Sequence, residues 1–436
     1  MTEATAQFDI SQAGFDAFLQ SRDEPDWLIA ARREAWQAFS EMPWPNRGDE
    51  EWMRTDTRLF KSDRYSLPSE IGDDARTPAP FLSQGVELAG QTLSLNSRCA
   101  ESHLEQKWAD KGVVYGSLGR LVHEHSDLLK SHLFSAADSN YDRFAALHAA
   151  CWSGGTLLYV PRGVAVDQPF HALSSMTDGG VDFGHTLVIL EEGAEATMLN
   201  ETASFGENEG GLHCGAIELI VKPGANLRYI NLQDWGEGVW HFAHQKAVVD
   251  RDAMLQWTIG AMGARLAKVN QHVSLVGPGA NAQVNGVMFT EKKQHLSYHT
   301  LQHHEAPECR SDFLYKAALQ DKSRTVWRGM IKVDDVAQKT DGYQRNDNLL
   351  LSAKARADSI PGLEIEADDV RCTHGSTSGR VDEELIFYCR CRGFTRKEAI
   401  RAIVTGFFQQ IFDRITIESV RESLGAAIAR RVRDYE

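Results

Sequence analysis

The sequence predicts a mainly β protein whose core is a parallel β-helix, with α-helical regions at its N-terminal and C-terminal ends. Three observations predict this fold class. Residues 154–331 contain a repeat of short strands and turns, residues 11–60 carry a helical pattern of apolar side chains, and a second helical pattern begins after residue 393. Because strands and helices place side chains with periods of two and 3.6 residues, these patterns divide the chain into three regions.

Residues 1–150 are predicted to form an N-terminal helical region with a linker. A helix is predicted with Asp26 as its N-cap and a stop before Pro43, because proline cannot continue a helix. Its apolar face is predicted from five residues at helical spacing: Leu28, Ala31, Ala35, Trp36 and Phe39. The acidic, proline-punctuated stretch at 68–80 predicts the linker, and helical spacing returns at 116–150.

Residues 151–392 are predicted to form the β-helix core. Short runs rich in Val, Ile, Leu and Thr alternate with similar turns, EEGAEA at 191, KPGANL at 222, DRDAML at 250 and GPGANA at 277. The alanines of these turns, which recur at intervals of 31, 28 and 27 residues, are Ala194, Ala225, Ala253 and Ala280. A strand-turn-strand repeat of this length without a helix predicts a solenoid of strands, since a propeller blade needs a longer period and four strands.

Residues 393–436 are predicted to form a C-terminal helical region. Thr395 and Glu398 have the spacing of a capping box. Apolar residues then recur at helical spacing, at Ile400, Ile403, Val404, Phe407, Phe408, Ile411 and Phe412. This apolar area predicts helices that cap the solenoid and also offer a docking surface.

Composition excludes several classes of protein. The chain of 436 residues has 46 Lys and Arg against 61 Asp and Glu, a net charge of −15, which argues against nucleic-acid or anionic-membrane partners. No signal-like start and no apolar run of membrane-spanning length is found, so a cytoplasmic location is expected. The seven cysteines are an odd number scattered along the chain, which is not the pattern of a disulfide framework.

Cys372 and His374 are the candidate metal ligands. Residues two apart in a strand point to one face, so a thiolate and an imidazole would meet there, and Gly375 is expected to end the strand. A closed site needs four ligands, so this pair is half of one at most. The alternative is a buried structural cysteine with a capping histidine at the strand end. Cys389 and Cys391 are expected to be structural.

Other motifs indicate no catalytic site. His295, His299 and His303 recur every four residues, and we interpret them as histidines on the polar face of one coil rather than as a metal site. The chain has no P-loop, nucleophile elbow, zinc-protease motif or dinucleotide fingerprint. We therefore expect a non-catalytic member of a complex.

Long stretches resemble one protein family. Three of them, in chain order, are SDFLYKAAL at 311–319, RTVWRGMIKVDDVAQKTDGYQRNDNLLLS at 324–352, and PGLEIEADDVRCTHGSTSGRVDEELIFY at 361–388. They resemble the core of the SufB/SufD family, the scaffold proteins of the Suf iron-sulfur cluster assembly system. GGTLLYVPRGVAVDQPF at 154–170 is similar to the entry into that core, and EPDWLIAARREAWQAF at 24–39 with DEEWMRTD at 49–56 resembles the SufD branch.

This resemblance implies a fold and a role. The implied fold is a right-handed parallel β-helix with helical segments at both termini. The implied role is that of a SufD-type subunit in a complex of SufB, SufC and SufD, in which Cys372 and His374 share a transient iron-sulfur cluster at the SufB interface. The ATPase SufC would bind residues 395–430 and hydrolyse ATP, and its dimerisation would shift the scaffolds.

The resemblance also implies further partners. A cysteine desulfurase system would act on the complex indirectly, a reduced flavin is possible for the complex, and the chain alone could form a homodimer. Two alternatives remain open. The chain could be a purely architectural partner of SufB with an inert Cys372. It could instead be a carbohydrate-binding β-helix whose stacking platforms are Trp235, Trp240, Trp257 and Trp327.

Overall fold

Two long parallel sheets dominate the fold. The structure is a computed structural model that describes residues 8–67 and 76–432. Its strands are β1 Phe8–Asp9, β2 Ser66–Leu67, β3 Gly90–Leu95, β4 Arg98–Leu104, β5 Val114–Ser117, β6 Gly154–Val160, β7 Phe170–Met176, β8 Gly180–Asp182, β9 Gly184–Leu190, β10 Glu195–Ser204, β11 Gly210–Val221, β12 Asn226–Asp234, β13 Gly238–Val249, β14 Met254–Ala261, β15 Leu266–Leu275, β16 Asn281–Thr290, β17 His295–His304, β18 Arg310–Leu319, β19 Arg324–Val333, β20 Asp341–Leu350, β21 Arg356–Ile365 and β22 Arg371–Arg380.

The helices lie near the two ends of the chain. They are α1 Gln12–Gln20, α2 Asp26–Glu41, α3 Gln106–Ala109, α4 Leu118–Glu124, α5 Ser126–His132, α6 Arg143–Cys151, α7 Glu383–Cys391, α8 Arg396–Phe412 and α9 Glu418–Arg431, with a short 3₁₀ helix at Ser62–Arg64. Among the described helices, none is both long enough and apolar enough to cross a membrane.

From β9 onward, successive strands alternate between the sheets. The first sheet has the order β22-β20-β18-β16-β14-β12-β10-β7-β3-β4, and the second has the order β21-β19-β17-β15-β13-β11-β9-β6-β5. From β6 onward the two ladders are parallel, so each turn of the chain places one strand in each sheet. The predicted parallel β-helix is therefore confirmed.

The repeated alanines form one corner of the β-helix. Ala194, Ala225, Ala253 and Ala280 are at most 1% exposed, and each accepts a hydrogen bond from the backbone of the next coil. The residue before each alanine has a positive φ of 55° to 75°: Gly193, Gly224, Asp252 and Gly279. This left-handed corner favours glycine, and the stacked interior behind it leaves room only for a small side chain. The sequence repeat thus reflects one corner geometry shared by four successive coils.

Large aromatic residues fill the interior rather than the surface. Trp235, Trp240, Trp257 and Trp327 are 2%, 5%, 0% and 1% exposed. A sugar-stacking platform must present its ring face to solvent, so these residues cannot serve as one. The carbohydrate-binding interpretation based on them is wrong, because the solenoid core buries Trp235, Trp257 and Trp327 and the N-terminal region covers Trp240.

The N-terminal region covers the outer face of the second sheet. Phe144 of α6 stacks on Phe242 of β13, with ring centroids 3.7 Å apart. Helix α2 ends at Glu41 before Pro43, as predicted, but Asp26 is its first residue and Pro25 is its N-cap. Strands also occur in this region, where β3 to β5 extend both sheets. Of the predicted linker, residues 68–75 lie outside the described residues.

Two buried glutamates attach covering segments to the sheets. Glu218 of β11 accepts backbone N–H groups of Phe134, Ala136 and Ala137 at 2.6, 2.7 and 2.9 Å. Glu201 of β10 likewise accepts backbone N–H groups from residues 81 and 82. A buried carboxylate is stable only with such partners, so each one fixes the loop above it.

The C-terminal helices lie beside the β-helix instead of capping its end. Residues of α8 and α9, including Phe408 and Leu424, share an apolar cluster with Phe289 of β16 and Leu314 of β18. The capping box of Thr395 and Glu398 is present at the start of α8, as predicted. The expectation that these helices cap the solenoid is wrong, since their apolar face matches the outer face of the first sheet.

Candidate functional site at the open end of the β-helix

The last coil of the β-helix, made by β21 and β22, is open. Both strands lie at the ends of their sheets, and no strand among residues 8–67 and 76–432 pairs with their outer edges. Inward-facing side chains of earlier coils are covered by the next coil, whereas those of β21 and β22 are half-buried or exposed. This surface, the open coil, carries both candidate ligands.

The thiol of Cys372 is half-buried at the rim of the open coil. Cys372 pairs with Gly342 of β20, and a β-carbon at position 342 would lie 3.3 Å from its Sγ. The side chain packs at the edge of a small apolar cluster containing Ile331 and Val333. Burial raises the pKa of this thiol above its ordinary value of 9.0, a backbone hydrogen bond with Gly342 opposes the shift, and Asp341 adds to it. The group is therefore protonated at neutral pH, and metal binding would release its proton.

His374 lies two residues further along β22, on the same face as Cys372. It pairs with Gln344 of β20, and its side chain is exposed. Within the described part of the chain, no hydrogen bond or ion pair fixes its ring. The imidazole is therefore free to turn toward a ligand above the open coil.

The strand does not end at Gly375, contrary to the expectation. Strand β22 continues to Arg380, and Gly375 pairs with Arg345 in the middle of the ladder. The physical reason is that β22 pairs with β20 along its whole length. Because β20 has 10 residues, β22 also extends over 10 residues. His374 is consequently not a strand-end cap.

The described residues do not complete a metal site. No group of three or more His, Cys, Asp and Glu side chains with metal-ligand geometry occurs among them. Cys389 and Cys391 both lie on α7, where residues two apart point in different directions. Cys389 packs against the apolar cluster under α7 and α8, as a structural cysteine does, while Cys391 is exposed rather than part of the core.

Hydroxyl groups lie on the inward face of the open coil, next to the two candidate ligands along β22. Ser376 Oγ of β22 donates to Ser359 Oγ of β21 at 2.8 Å, which joins the two sheets across the opening. On the outward face, Thr377 Oγ1 donates to Asp347 Oδ1 at 2.6 Å. The open coil is thus polar beyond His374, which suits a surface that contacts water or a polar partner, whereas the Cys372 thiol lies against apolar side chains.

Comparison with known proteins places this fold in a family. A family model described as "SUF system FeS cluster assembly, SufBD core domain" matches residues 172–407. The chain belongs to the SufBD family. A second model, "SufBD protein N-terminal region", matches residues 16–171 of this SufBD chain.

Curated relatives of this SufBD chain are similar over most of their length. Iron-sulfur cluster assembly SufBD family proteins of Staphylococcus saprophyticus, Staphylococcus haemolyticus and Staphylococcus epidermidis are each 26% identical to it over 411 residues. The alignments cover 91% of this chain and 88% of each relative. The similarity therefore extends through the β-helix and both helical regions.

The histidines at positions 295, 299 and 303 lie on β17 of this SufBD chain. His303 contacts Asp334 at 2.9 Å and Glu305 at 3.0 Å, while His299 is buried. The strand assignment agrees with the interpretation of one polar coil face. Contacts with these two carboxylates account for the position of the His303 ring.

An exposed apolar patch on α7 was not identified from the sequence. Leu385, Phe387, Tyr388 and Phe394 are 50%, 67%, 55% and 46% exposed, and we call them the α7 patch. The docking surface predicted at 395–430 includes α8, whose buried apolar residues pack on the first sheet. The signal that could have found the patch is the run LIFY inside a short, charged helix.

Proposed function

We propose that this SufBD chain is a SufD-type scaffold subunit that shares a nascent iron-sulfur cluster with SufB at the open coil. The cluster is the product under assembly, so it is cargo rather than a resident cofactor. Its iron would be bound by Cys372 Sγ and a ring nitrogen of His374, with the remaining ligands from SufB. The chain itself would carry no catalytic residue.

The observation that carries this proposal is the incomplete ligand pair on an uncovered strand. Cys372 and His374 share one face of β22, and that strand has a free outer edge. Iron-sulfur clusters are bound mainly by cysteine thiolates, with histidine as an occasional replacement. A half-site at a free edge is chemically complete only when a second chain supplies the other half.

The same free edge supports pairing with SufB. The backbone N–H groups of Arg371 and Val381 donate to carbonyls of the preceding coil. Because successive residues of a strand alternate in direction, the N–H groups of residues 372 to 380 with even numbers point away from β20. Unpaired donors at a sheet edge attract another strand, so an edge-to-edge contact is the natural way to cover them. The same edge accounts for the expected homodimer of the chain alone.

The α7 patch supports docking of SufC. Four large apolar side chains are exposed on α7 and the segment before α8, where Phe387 and Phe394 line one surface depression, and aromatic residues are enriched at protein interfaces. We place the SufC contact on the α7 patch rather than within 395–430. The desulfurase system, the flavin and the cytoplasmic location are proposed for the assembled complex, and no residue of this chain is assigned to them.

Anaerobic co-purification with SufB and SufC tests the cluster role. Wild type, Cys372→Ser and His374→Ala are each purified in the complex, and iron and sulfide are measured per complex. We expect all three complexes to form and the two variants to lose most of their iron and sulfide. The controls are Cys391→Ser and His123→Ala, which remove an exposed thiol and an exposed imidazole outside the open coil.

Unchanged cluster content in both variants would contradict the proposal. In that case the chain is an architectural partner of SufB, and all ligands of the cluster belong to SufB. Equal losses in the control variants would also count against it, because the effect would then not be specific to the open coil.

A further inference from the structure

A cleft between the β-helix and the C-terminal helices lies at the far end of β22, is not lined by Cys372 or His374, and has no part in the proposed cluster role. It has a volume of about 570 Å³ and lies between the ends of β20 and β22 and the first turns of α7 and α8. This size is typical of sites for small organic molecules, which run from roughly 300 to 1,000 Å³. The lining of the cleft combines apolar and charged side chains.

The floor of the cleft is apolar. Leu350 and Leu351 lie at the end of β20, Val381 follows β22, and Ile386 and Ile400 come from α7 and α8. Ile386 and Ile400 are 2% and 3% exposed, so they are anchored in the apolar cluster beneath the helices. The floor is therefore a fixed surface on which an apolar or aromatic group can lie.

The rim of the cleft is cationic, although the chain as a whole is strongly acidic. Lys322, Lys354 and Arg380 line it and are exposed. None of these three is ion-paired with a carboxylate in the part of the chain that the structure describes. In a protein with a net charge of −15, three such cations around one cleft create a local positive potential.

The two carboxylates of the lining are already engaged. Glu383 accepts two hydrogen bonds from the guanidinium of Arg396, both at 2.7 Å. Asp321 Oδ2 accepts the backbone N–H of Lys292 at 2.8 Å. Glu383 is thus paired with a cation and Asp321 with a backbone donor, so the three rim cations are left to an external anion.

We propose that this cleft binds a small organic phosphate. The apolar part of the ligand lies on Leu350, Leu351 and Ile386. The phosphate group of the ligand is bound by Lys322, Lys354 and Arg380. Lysine and arginine are the usual phosphate ligands, and arginine can donate two parallel hydrogen bonds to it. An apolar floor beside a cationic rim favours such a ligand over inorganic phosphate, which could use the rim alone.

Titration of the full chain with 1-naphthyl phosphate tests the site. The probe combines an aromatic ring with a phosphate, and its binding is followed by calorimetry and by its fluorescence. We expect saturable binding with one site per chain and at least tenfold weaker binding for Lys354→Glu and for Arg380→Glu. The matched control is Lys130→Glu, the same charge reversal at an exposed lysine on α5.

Fragments of the probe test whether both the apolar floor and the cationic rim of the cleft contribute to binding. Inorganic phosphate and 1-naphthol, used as competitors, are each expected to bind at least tenfold more weakly than the intact probe. No saturable binding would overturn the proposal, and so would equal weakening by Lys130→Glu. Equal competition by inorganic phosphate would overturn the assigned apolar floor and with it the organic ligand. Circular dichroism of each variant establishes that its fold is intact, since the changed side chains are exposed.

Discussion

At the scale of single residues, small side chains decide where reactive groups lie. Gly342 leaves room for the Cys372 sulfur, because a β-carbon there would be 3.3 Å from both that sulfur and a carbon of Ile331. The thiol therefore sits partly below the rim of the open coil, and burial raises its pKa. A protonated thiol is a poor nucleophile and a poor ligand until a metal or a partner displaces its proton.

Alkylation of Cys372 in the isolated chain is expected to depend steeply on pH. Because the pKa of Cys372 is raised above 9.0, the thiolate fraction, and with it the iodoacetamide rate, should rise about tenfold per unit from pH 7 to 9. Mass spectrometry of the peptide containing Cys372 measures the rate. Cys151, whose pKa burial raises to about 12, is the unreactive internal control. A rate that levels off below pH 8 would contradict the protonated thiol.

At the scale of elements, the C-terminal helices have two different faces. Phe408 and Ile411 of α8 are fully buried against the first sheet, and Arg431 at the end of α9 binds Asp234 of β12 at 2.5 Å. These contacts attach the helices to the β-helix. By contrast, Phe387 of α7 is 67% exposed and contributes nothing to that attachment. The element thus separates residues that stabilise the fold from residues available to a partner.

Replacement of Phe387 is expected to separate docking from folding. Phe387→Asp should weaken SufC binding at least tenfold, because it places a charge within an apolar contact, while the melting temperature of the chain changes little. Binding is measured by calorimetry with purified SufC. Phe205→Asp is the matched control, since Phe205 is 48% exposed on a loop remote in sequence from α7. Full SufC binding by Phe387→Asp would remove the α7 patch from the proposed interface.

At the scale of the whole molecule, buried ionisable groups make the fold sensitive to acid. His241 is 3% exposed, accepts the indole N–H of Trp235 at 3.2 Å, and has a pKa lowered by burial from 6.5 to about 3. The pKa values of His148 and His213 are also lowered well below 6.5, chiefly by burial. The unfolded chain takes up protons below pH 6.5 that the folded chain excludes, so stability falls as pH falls toward 3.

Acid destabilisation is expected to be smaller in His241→Gln. In the window between about pH 6.5 and 3, one such histidine contributes a loss of about 1.4 kcal/mol per pH unit. Urea unfolding at pH 7 and pH 5 measures the loss in free energy of unfolding. Asp182 has the opposite effect on the pH dependence of stability. Burial raises its pKa to about 6, so between pH 3.8 and about 6 the folded chain keeps a proton that the unfolded chain loses.

His123→Gln serves as the control for this prediction. His123 is exposed on α4, so its replacement makes the same change of side chain without disturbing the buried core. An equal loss of stability in wild type and His241→Gln between pH 7 and pH 5 would show that buried His241 does not control the acid response.

Local patterns in the sequence determined the architecture of this protein. The corner alanines at 194, 225, 253 and 280 predicted the β-helix, because every coil must meet the same steric requirement at its corner. Pro43 and the Thr395–Glu398 pair predicted a helix end and a helix start, since both act within one turn of the chain. The spacing of Cys372 and His374 likewise predicted their common face.

Only the tertiary structure decided which surfaces are free. The length of β22 follows from its ladder with β20, so Gly375 could not be placed from local sequence. Trp235, Trp257 and Trp327 fill the solenoid interior, and Trp240 is buried beneath the N-terminal region. The helices after residue 393 lie against a sheet face rather than over the open coil. Exposure depends on what packs against a residue from distant parts of the chain. That is why the open coil, the α7 patch and the cationic cleft became visible only in the folded molecule.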